Sequence, residues 1–124
     1  MNHDVLAEVL ATSKTWIEHF NSGDVDHCVA GYLPDAEMKA APMGEFQGTE
    51  AIDAFWRPFV GSGATDLQYS KVWVKQVDET TVHLGAEWSM NVGRGVITLE
   101  EWVKTDDGSW KLARDHFEVQ EQFS

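Results

Sequence analysis

Gly95-Val-Ile-Thr-Leu-Glu-Glu-Trp-Val-Lys-Thr-Asp-Asp-Gly-Ser-Trp-Lys-Leu-Ala-Arg-Asp-His-Phe-Glu118 predicts the hairpin around which the chain is organised. Two runs rich in β-branched and aromatic residues flank Asp106-Asp107-Gly108, a combination typical of a tight turn whose glycine adopts positive φ. If these three residues form the turn, four cross-strand pairs follow: Thr105 with Ser109, Trp102 with Leu112, Glu100 with Arg114, and Thr98 with His116.

A two-residue turn would shift the register by one residue. It would place Glu100 opposite Asp115, and two like charges on facing strand positions disfavour each other. The three-residue turn is therefore the preferred prediction. In that register Glu100, Trp102 and His116 share one face of the hairpin.

Composition bounds the class of protein. A chain of 124 residues with 43% hydrophobic residues can bury one core, so we expect a single domain over residues 1–124. The formal net charge of -12 repels phosphate backbones and anionic lipid, which argues against nucleic acid and membrane partners. Cys28 is the only cysteine, the N-terminus has no basic leader segment, and no apolar run could cross a bilayer, so the predicted location is cytoplasmic.

The first half of the chain has helical periodicity. Apolar positions between Asp4 and Phe20 recur every three or four residues, which predicts an amphipathic helix. Gly23 suits the turn after it, and Asp24 is a good N-cap for a second helix that carries Tyr32 and stops before Pro34. A short hairpin over 35–48 follows. Thr49 is predicted to cap a third helix, which Pro58 should kink or end.

After Gly63 the period changes to two. Strands are predicted near 66–76, 80–92, 96–105 and 109–119, forming an antiparallel meander with one covered face. The fold class is therefore α+β, with three N-terminal helices packed on a curved antiparallel sheet. The sequence does not decide on which face of the sheet Trp88 and Met90 lie. A bulge within residues 92–95 would place them on the face of Glu100, and without it Glu87 and Ser89 would lie there.

Four phrases in this order resemble the nuclear transport factor 2-like superfamily, in its SnoaL-like and ketosteroid isomerase-like branch. They are Phe20-Asn-Ser-Gly-Asp24, Tyr32-Leu-Pro-Asp-Ala36, Gly48-Thr-Glu-Ala-Ile52 and Trp110-Lys-Leu-Ala-Arg-Asp-His116. The resemblance implies a cone-shaped α+β barrel with a pocket between the helices and the concave sheet face. It also implies a homodimer. It leaves function open, because this fold hosts several enzyme classes and binding modules.

The ketosteroid isomerase residues transfer incompletely. The family's tyrosine on the first helix falls on Trp16, and its catalytic aspartate falls on Ala41, so the usual base is missing. Its protonated acid falls on Glu100, and its pocket positions on the last strand fall on Arg114, His116 and Glu118. The resemblance therefore argues against steroid isomerisation by the usual residues.

His116 and Glu100 are the candidate catalytic residues. An imidazole near neutrality exchanges protons readily, and a nearby carboxylate orients it. Two plainer interpretations stay open: Glu100 and Arg114 form a cross-strand ion pair, and the aromatic residues on the helices are core. The candidate ligand-binding residues are Trp16, Tyr32, Phe55, Trp56, Trp88, Met90, Trp102 and Arg114.

Metal and cofactor sites are not predicted. His3, His19, His27, His83 and His116 include no two at ligand spacing on one element, and Cys28 has no thiol partner. The short glycine pairs near residues 61 and 93 are turns rather than phosphate loops. The sequence thus favours a cofactor-independent acid/base enzyme on a small, largely apolar organic molecule, performing isomerisation, dehydration, cyclisation or hydrolysis. The alternative is a non-catalytic ligand-binding or dimerisation domain.

Overall fold

A computed structural model describes residues 2–123 of the chain, and the side chains of residues 5–123. This range contains three helices and six strands. Two helices precede the first strand, and the third lies between the second and third strands. The elements are α1 (Asn2–Asn21), α2 (Val25–Ala30), β1 (Tyr32–Ala41), β2 (Gly44–Gln47), α3 (Thr49–Gly61), β3 (Gln68–Asp78), β4 (Thr81–Met90), β5 (Gly93–Lys104) and β6 (Trp110–Gln122). Within the described residues, no helix is long and apolar enough to span a bilayer.

The junction of α1 and α2 follows the predicted capping chemistry. Gly23 has φ of 80°, and the Asp24 side chain accepts a hydrogen bond from the backbone amide of His27 as the N-cap of α2. The predicted end of α2 is wrong. The helix stops at Ala30, the amide of Gly31 closes it on the carbonyl of Cys28, and Tyr32 is already the first residue of β1. Tyr32 therefore projects from the sheet rather than from a helix.

Helix α3 differs from its prediction at both ends. Gly48, with φ of 86°, is the N-cap and no side chain caps the first turn, so the predicted cap by Thr49 is wrong. The helix also continues past Pro58 to Gly61. Pro58 lies in the last turn and lacks the amide that would bond one turn back, yet three more residues keep the helical conformation.

The six strands form one sheet in the order β2-β1-β6-β5-β4-β3. The meander of β3 to β6 is antiparallel, as predicted. Strand β1 pairs with β6 in parallel, so the sheet is mixed and not purely antiparallel. Parallel pairing needs a long connection, which α3 and the rest of the meander supply here.

The helices cover one face of the sheet, which we call the inner face. It holds the core, in which α1 and α3 pack against alternate residues of the strands. The large side chains that are almost fully buried are Phe20, Met38, Ile52, Leu84, Trp102 and Leu112. The opposite face, the outer face, carries most of the charged residues of β4 to β6.

The hairpin has the predicted turn but not the predicted register. The amide of Thr105 donates to the carbonyl of Ser109 over 2.8 Å, and Trp102 lies opposite Leu112. Beyond that pair, Ala113 is an extra residue in β6. Glu100 therefore pairs with Asp115, and the predicted pairing of Glu100 with Arg114 is wrong.

A second bulge lies at Thr98. Ile97 pairs with Phe117 and Leu99 with His116, so the predicted pair of Thr98 with His116 is also wrong. The same extra residue resets β5 against β4 and leaves Trp88 and Met90 on the inner face with Glu100. One of the two open alternatives is thus realised, but the extra residue that resets β5 against β4 is Thr98. The register shift between Arg94 and Gly95 lies in the pairing with β6.

Gly95 shows how closely the strands approach at this end of the sheet. A methyl group on Gly95 would collide with the carbonyl oxygen of Glu118 and lie 2.8 Å from the indole of Trp88. We therefore expect Gly95→Ala to lower the free energy of unfolding by more than ~2 kcal/mol, because a backbone atom cannot move aside cheaply. Denaturant titration measures it.

The matched control for this prediction is Gly61→Ala. Nothing lies within 4 Å of the added methyl group at the end of α3, so the free energy of unfolding should change by less than ~0.5 kcal/mol. Equal effects of the two substitutions would contradict the close approach at Gly95.

Candidate functional site

A cavity of about 400 Å³ lies between the helices and the inner face of the sheet. This volume is within the range of pockets for small organic molecules. Five of the predicted ligand-binding residues line it: Trp16, Phe55, Trp56, Trp88 and Met90. The remaining lining residues are Met43, Phe59, Leu67, Tyr69, Val92, Gly93, Ile97, Asp115, Phe117, Val119, Gln122 and Phe123.

Aromatic rings build the helical wall of this cavity. Trp56 from α3 packs edge-on against Trp16, with 5.8 Å between the ring centroids, and stacks on Phe117 at 5.7 Å. The Trp16 indole is fixed at its other end, where Nε1 donates to the carbonyl of Cys28. Because these rings are fixed by their contacts, the wall favours the binding of a flat or bulky apolar ligand.

Asp115 is the only ionisable carboxyl among the lining residues that the structure describes, and its side chain is only 4% exposed. Its Oδ2 accepts a hydrogen bond of 2.6 Å from the hydroxyl of Tyr32. Trp56 Nε1 donates to the same tyrosine oxygen over 3.1 Å. The two contacts orient Asp115 and leave its second oxygen available to a molecule in the cavity.

Glu100 lies behind Asp115 and is 3% exposed. Its Oε1 accepts from Trp102 Nε1 over 2.9 Å, and its Oε2 lies 2.6 Å from the hydroxyl of Tyr69. Tyr69 lines the cavity, whereas Glu100 and Trp102 do not. Glu100 thus faces the interior of the protein and reaches the cavity through its neighbours.

Burial controls the charge of this carboxyl pair. Desolvation raises the pKa of both Glu100 and Asp115 above their ordinary values. The negative charge of Asp115 raises the pKa of Glu100 further, and the hydrogen bonds from Tyr69 and Trp102 oppose this rise only in part. The pair therefore keeps one proton at pH values at which exposed carboxyls are ionised. Glu100, whose pKa is the higher, carries this proton.

The two tyrosines stay protonated for the same reason. Burial raises the pKa of Tyr32 and of Tyr69 well above the ordinary value, and the neighbouring carboxyls add to the rise. Both phenols are therefore hydrogen-bond donors under all ordinary conditions. If Glu100 carries the proton, it donates to the oxygen of Tyr69, and the Tyr69 hydroxyl is free to donate into the cavity.

His116 does not join Glu100. The bulge at Ala113 turns it to the outer face, where its Nε2 lies 2.9 Å from Oε1 of Glu37. Arg114 is on that face too, exposed, with its Nε 3.7 Å from Oε1 of Glu101. The predicted grouping of His116, Glu100 and Arg114 is therefore wrong in space, because a single inserted residue exchanges the two faces of the strand.

The sequence held a signal for Asp115. Leu112 and Phe117 are both buried on the inner face and are five residues apart, an odd interval that strict alternation does not allow. Ile97 and Trp102 in β5 show the same odd interval. One extra residue between each pair restores the alternation. In the structure the extra residues are Ala113 and Thr98, which places Asp115 and Glu100 on the inner face. Tyr69 carried no comparable signal.

The helix junction gathers a further set of ionisable groups. His19, Asp24 and His27 have potential ligand atoms within 4.8 Å of one another, which their positions on separate elements did not predict. The Asp24 carboxylate is already used as the N-cap of α2, and its hydrogen bonds to His27 keep its pKa below the ordinary value. The side chain of His3, the remaining histidine in the predictions, lies outside the described residues.

Comparison with known proteins identifies relatives of this fold. The family model described as a SnoaL-like domain matches residues 14–120. Among solved structures, a candidate scytalone dehydratase from Novosphingobium aromaticivorans has a TM-score of 0.85 at 17% identity, covering 98% of this chain and 88% of its own.

Two other structures are similar over most of their length. ActVI-ORFA from Streptomyces coelicolor has a TM-score of 0.78 at 14% identity, over 94% of this chain and 98% of its own. A ketosteroid isomerase-like protein from Erwinia carotovora atroseptica has a TM-score of 0.79 at 17% identity, over 94% and 96%. The predicted resemblance and α+β fold class are confirmed. No match was found among the curated proteins.

The raised pKa of Glu100 predicts a pH-dependent stability. A carboxyl whose pKa is higher in the folded state than in the unfolded state stabilises the fold below the unfolded value, and this contribution is lost as pH rises through the folded value. Glu100→Gln cannot ionise. We therefore expect the free energy of unfolding of Glu100→Gln, measured relative to wild type, to increase as pH rises from about 4 upward.

Asp107→Asn is the control with the opposite sign. Hydrogen bonds from Thr105 and Ser109 hold the pKa of Asp107 below its ordinary value, so its contribution is present above that value and lost as pH falls. The loss of stability in Asp107→Asn should therefore shrink toward acid pH. Urea titrations from about pH 2 to about pH 9 test both variants, and a pH-independent difference for Glu100→Gln would show that the fold does not raise the pKa of Glu100.

Proposed function

Because this chain belongs to the SnoaL-like domain family, we propose that it is a cofactor-independent acid/base enzyme acting on a small, largely apolar organic molecule. The proposed reaction types are isomerisation, dehydration, cyclisation and hydrolysis. One observation carries the proposal: Asp115 presents a buried, tyrosine-bonded carboxyl to a cavity whose other walls are almost entirely apolar.

Asp115 is the proposed general base. Its pKa is raised by burial, so its carboxylate is a stronger base than one in water and still loses its proton near neutrality. The Tyr32 hydroxyl stabilises the carboxylate and fixes its orientation. A C–H group next to a carbonyl in the bound molecule is the kind of proton donor that such a base can serve.

Tyr69 and Glu100 are the proposed acidic partners. Removal of a proton from carbon places negative charge on the carbonyl oxygen, and a buried donor stabilises that charge strongly. The Tyr69 hydroxyl can provide this donor when protonated Glu100 donates to its oxygen, a distance of 2.6 Å. Trp102 keeps Glu100 in place through its indole N–H. Trp16, Phe55, Trp56, Trp88 and Met90 are the proposed apolar contacts of the substrate.

Hydrogen–deuterium exchange provides a test that does not need the natural substrate. With 2-tetralone in D2O, we expect the protein to accelerate the exchange of the protons next to the carbonyl for deuterium. Proton NMR measures this exchange as loss of their signal. Asp115→Asn keeps the size of the side chain and removes the base, so the acceleration should fall by at least ~100-fold. Tyr69→Phe should reduce it through loss of the oxyanion donor.

His116→Asn discriminates between the two assignments of the base. It removes the imidazole from the outer face without touching the cavity, so exchange should continue. Loss of exchange in His116→Asn with full exchange in Asp115→Asn would instead support the base predicted from sequence. If 2-tetralone binds and no exchange occurs in any variant, the ligand-binding alternative takes precedence.

We also propose that the protein is a homodimer that pairs through its outer faces. The indole of Trp73 lies over Gly85 on that face and is 48% exposed. A row of residues directly across the sheet carries charges of both signs, in the order Lys75, His83, Glu101, Arg114 and Glu37. A row of this kind can complement a second copy of itself around a two-fold axis.

Sedimentation at micromolar concentration tests the dimer. Wild type should sediment with twice the mass of the chain, and Trp73→Ser should shift the population toward monomer because it removes the largest apolar group of the outer face. Leu10→Ser changes a similarly exposed apolar residue on α1 and should leave the mass unchanged. A monomeric wild type would refute the proposal.

A further inference from the structure

A small void lies next to the main cavity and is enclosed by both buried carboxyls. It leaves about 10 Å³ for the centre of a water molecule, so a water fits into it. Trp16, Tyr69 and Asp115 line both spaces and form the partition between them. Ser13, Glu100, Trp102 and Leu112 complete its walls.

Ser13 is unusual among the residues around this void. It lies in α1, is only 6% exposed, and faces the sheet between two positions that carry core residues. Among the residues that the structure describes, Ser13 is the one from α1 that lines the void with a hydroxyl group. A water bound in the void would give this hydroxyl a hydrogen-bond partner.

The void also connects groups that do not bond to each other directly. Glu100 and Asp115 are paired across β5 and β6, yet no direct hydrogen bond joins their side chains among the described residues. Both line the void together with Ser13. A water there has up to three polar partners, which is the usual number for an internal water.

We propose that the void is a binding site for one water molecule, which Ser13 holds between Glu100 and Asp115 so that a proton passes from one carboxyl to the other. Ser13 is then a positioning residue. It touches neither the substrate nor the main cavity, and it acts through the water. This assigns a role to the one buried polar residue of α1 that the proposed chemistry does not otherwise use.

The transfer is balanced in atoms and charge. The O–H bond of the Glu100 carboxylic acid breaks and its proton joins the water, while one original O–H bond of that water breaks and its proton joins the Asp115 carboxylate. The water is regenerated, and one negative charge moves from Asp115 to Glu100. During turnover Asp115 takes a proton from the substrate carbon, while Tyr69 gives its proton to the substrate oxygen and takes one from Glu100. Asp115 is then protonated and Glu100 ionised, so the reverse transfer through the water returns the proton to Glu100 and restores Asp115 as a base.

The role of the relay in turnover rests on the proposed acid/base function. The binding of a water in the void does not depend on that function. The other ionisable groups that act on the pair are Tyr32 from β1, Tyr69 from β3 and, from the outer face of β6, His116. α1 contributes no charge to the void, so a substitution at Ser13 changes the water and leaves these groups in place.

The test measures the water and the carboxyl titrations without any substrate. A crystal structure of the wild type should show one water within hydrogen-bond distance of Ser13, Glu100 and Asp115. Ser13→Val fills the void with methyl groups, so the water should be lost. The higher apparent pKa of the pair, followed by carbon-13 NMR of labelled carboxyls, should then rise by about one unit, since the pair loses the water that solvates both carboxyls.

Thr15→Val is the matched control, because it introduces the same side chain at an exposed position of α1 and should leave the titration unchanged. Ser13→Ala decides the question if Ser13→Val does not fold: it removes one partner of the water and should produce a smaller rise of the same sign. Wild-type crystals with a dry void, or unchanged titrations in folded Ser13 variants, would overturn the proposal.

The two proposals fail separately. Absence of exchange activity with 2-tetralone leaves the crystal and NMR results valid, since they involve no substrate. A dry void combined with exchange that depends on Asp115 would remove the relay and keep Asp115 as the base.

Discussion

The structure depends on burying two carboxyls opposite each other on adjacent strands. Glu100 and Asp115 are both less than 5% exposed and face the inner side of the sheet. Two unpaired charges could not be buried there, because their desolvation and mutual repulsion would exceed what the fold can supply. The fold tolerates the pair because it retains a proton and because each side chain accepts a hydrogen bond, Asp115 from Tyr32 and Glu100 from Trp102.

This constraint distributes polar and apolar roles among the elements. β1 and β3 contribute one tyrosine each, and β5 contributes both Glu100 and the indole that holds it. α1 and α3 contribute the aromatic wall, in which Trp56 also donates to Tyr32. The cavity thus has an apolar body for binding and a single polar wall for chemistry. That division of roles is the arrangement that general acid/base catalysis without a cofactor needs.

The bulges at Thr98 and Ala113 make the pairing possible. Each inserts one residue and moves the following side chains to the opposite face. Without them, Thr98 and His116 would be on the face of the core, and Asp115 would point to water. The outer face instead receives His116, Arg114 and Glu101. There His116 lies 2.9 Å from Glu37, and Arg114 lies 3.7 Å from Glu101.

Periodicity and turn chemistry in the sequence alone determined the α+β class, the order of the elements, the capping of α2 by Asp24 and the turn at Asp106-Asp107-Gly108. These features depend on local backbone preferences and on alternation within one segment. The sequence also predicted that Glu100 is a site residue and that most of the aromatic residues of the helical wall line the pocket. The sequence did not establish the site itself. Like-charge repulsion between Glu100 and Asp115 was judged as it acts in water, and it ruled out the pairing that the protein adopts.

Only the tertiary structure decided that pairing. Burial changes the protonation of the two carboxyls, and a protonated acid facing a carboxylate is no longer a repulsive pair. The parallel contact of β1 with β6, which brings Tyr32 to Asp115, joins residues 83 positions apart. The contact of Tyr69 with Glu100 is equally remote from any local pattern. Contacts of this kind depend on how the helices and the sheet close on each other, and no single segment of the chain encodes them.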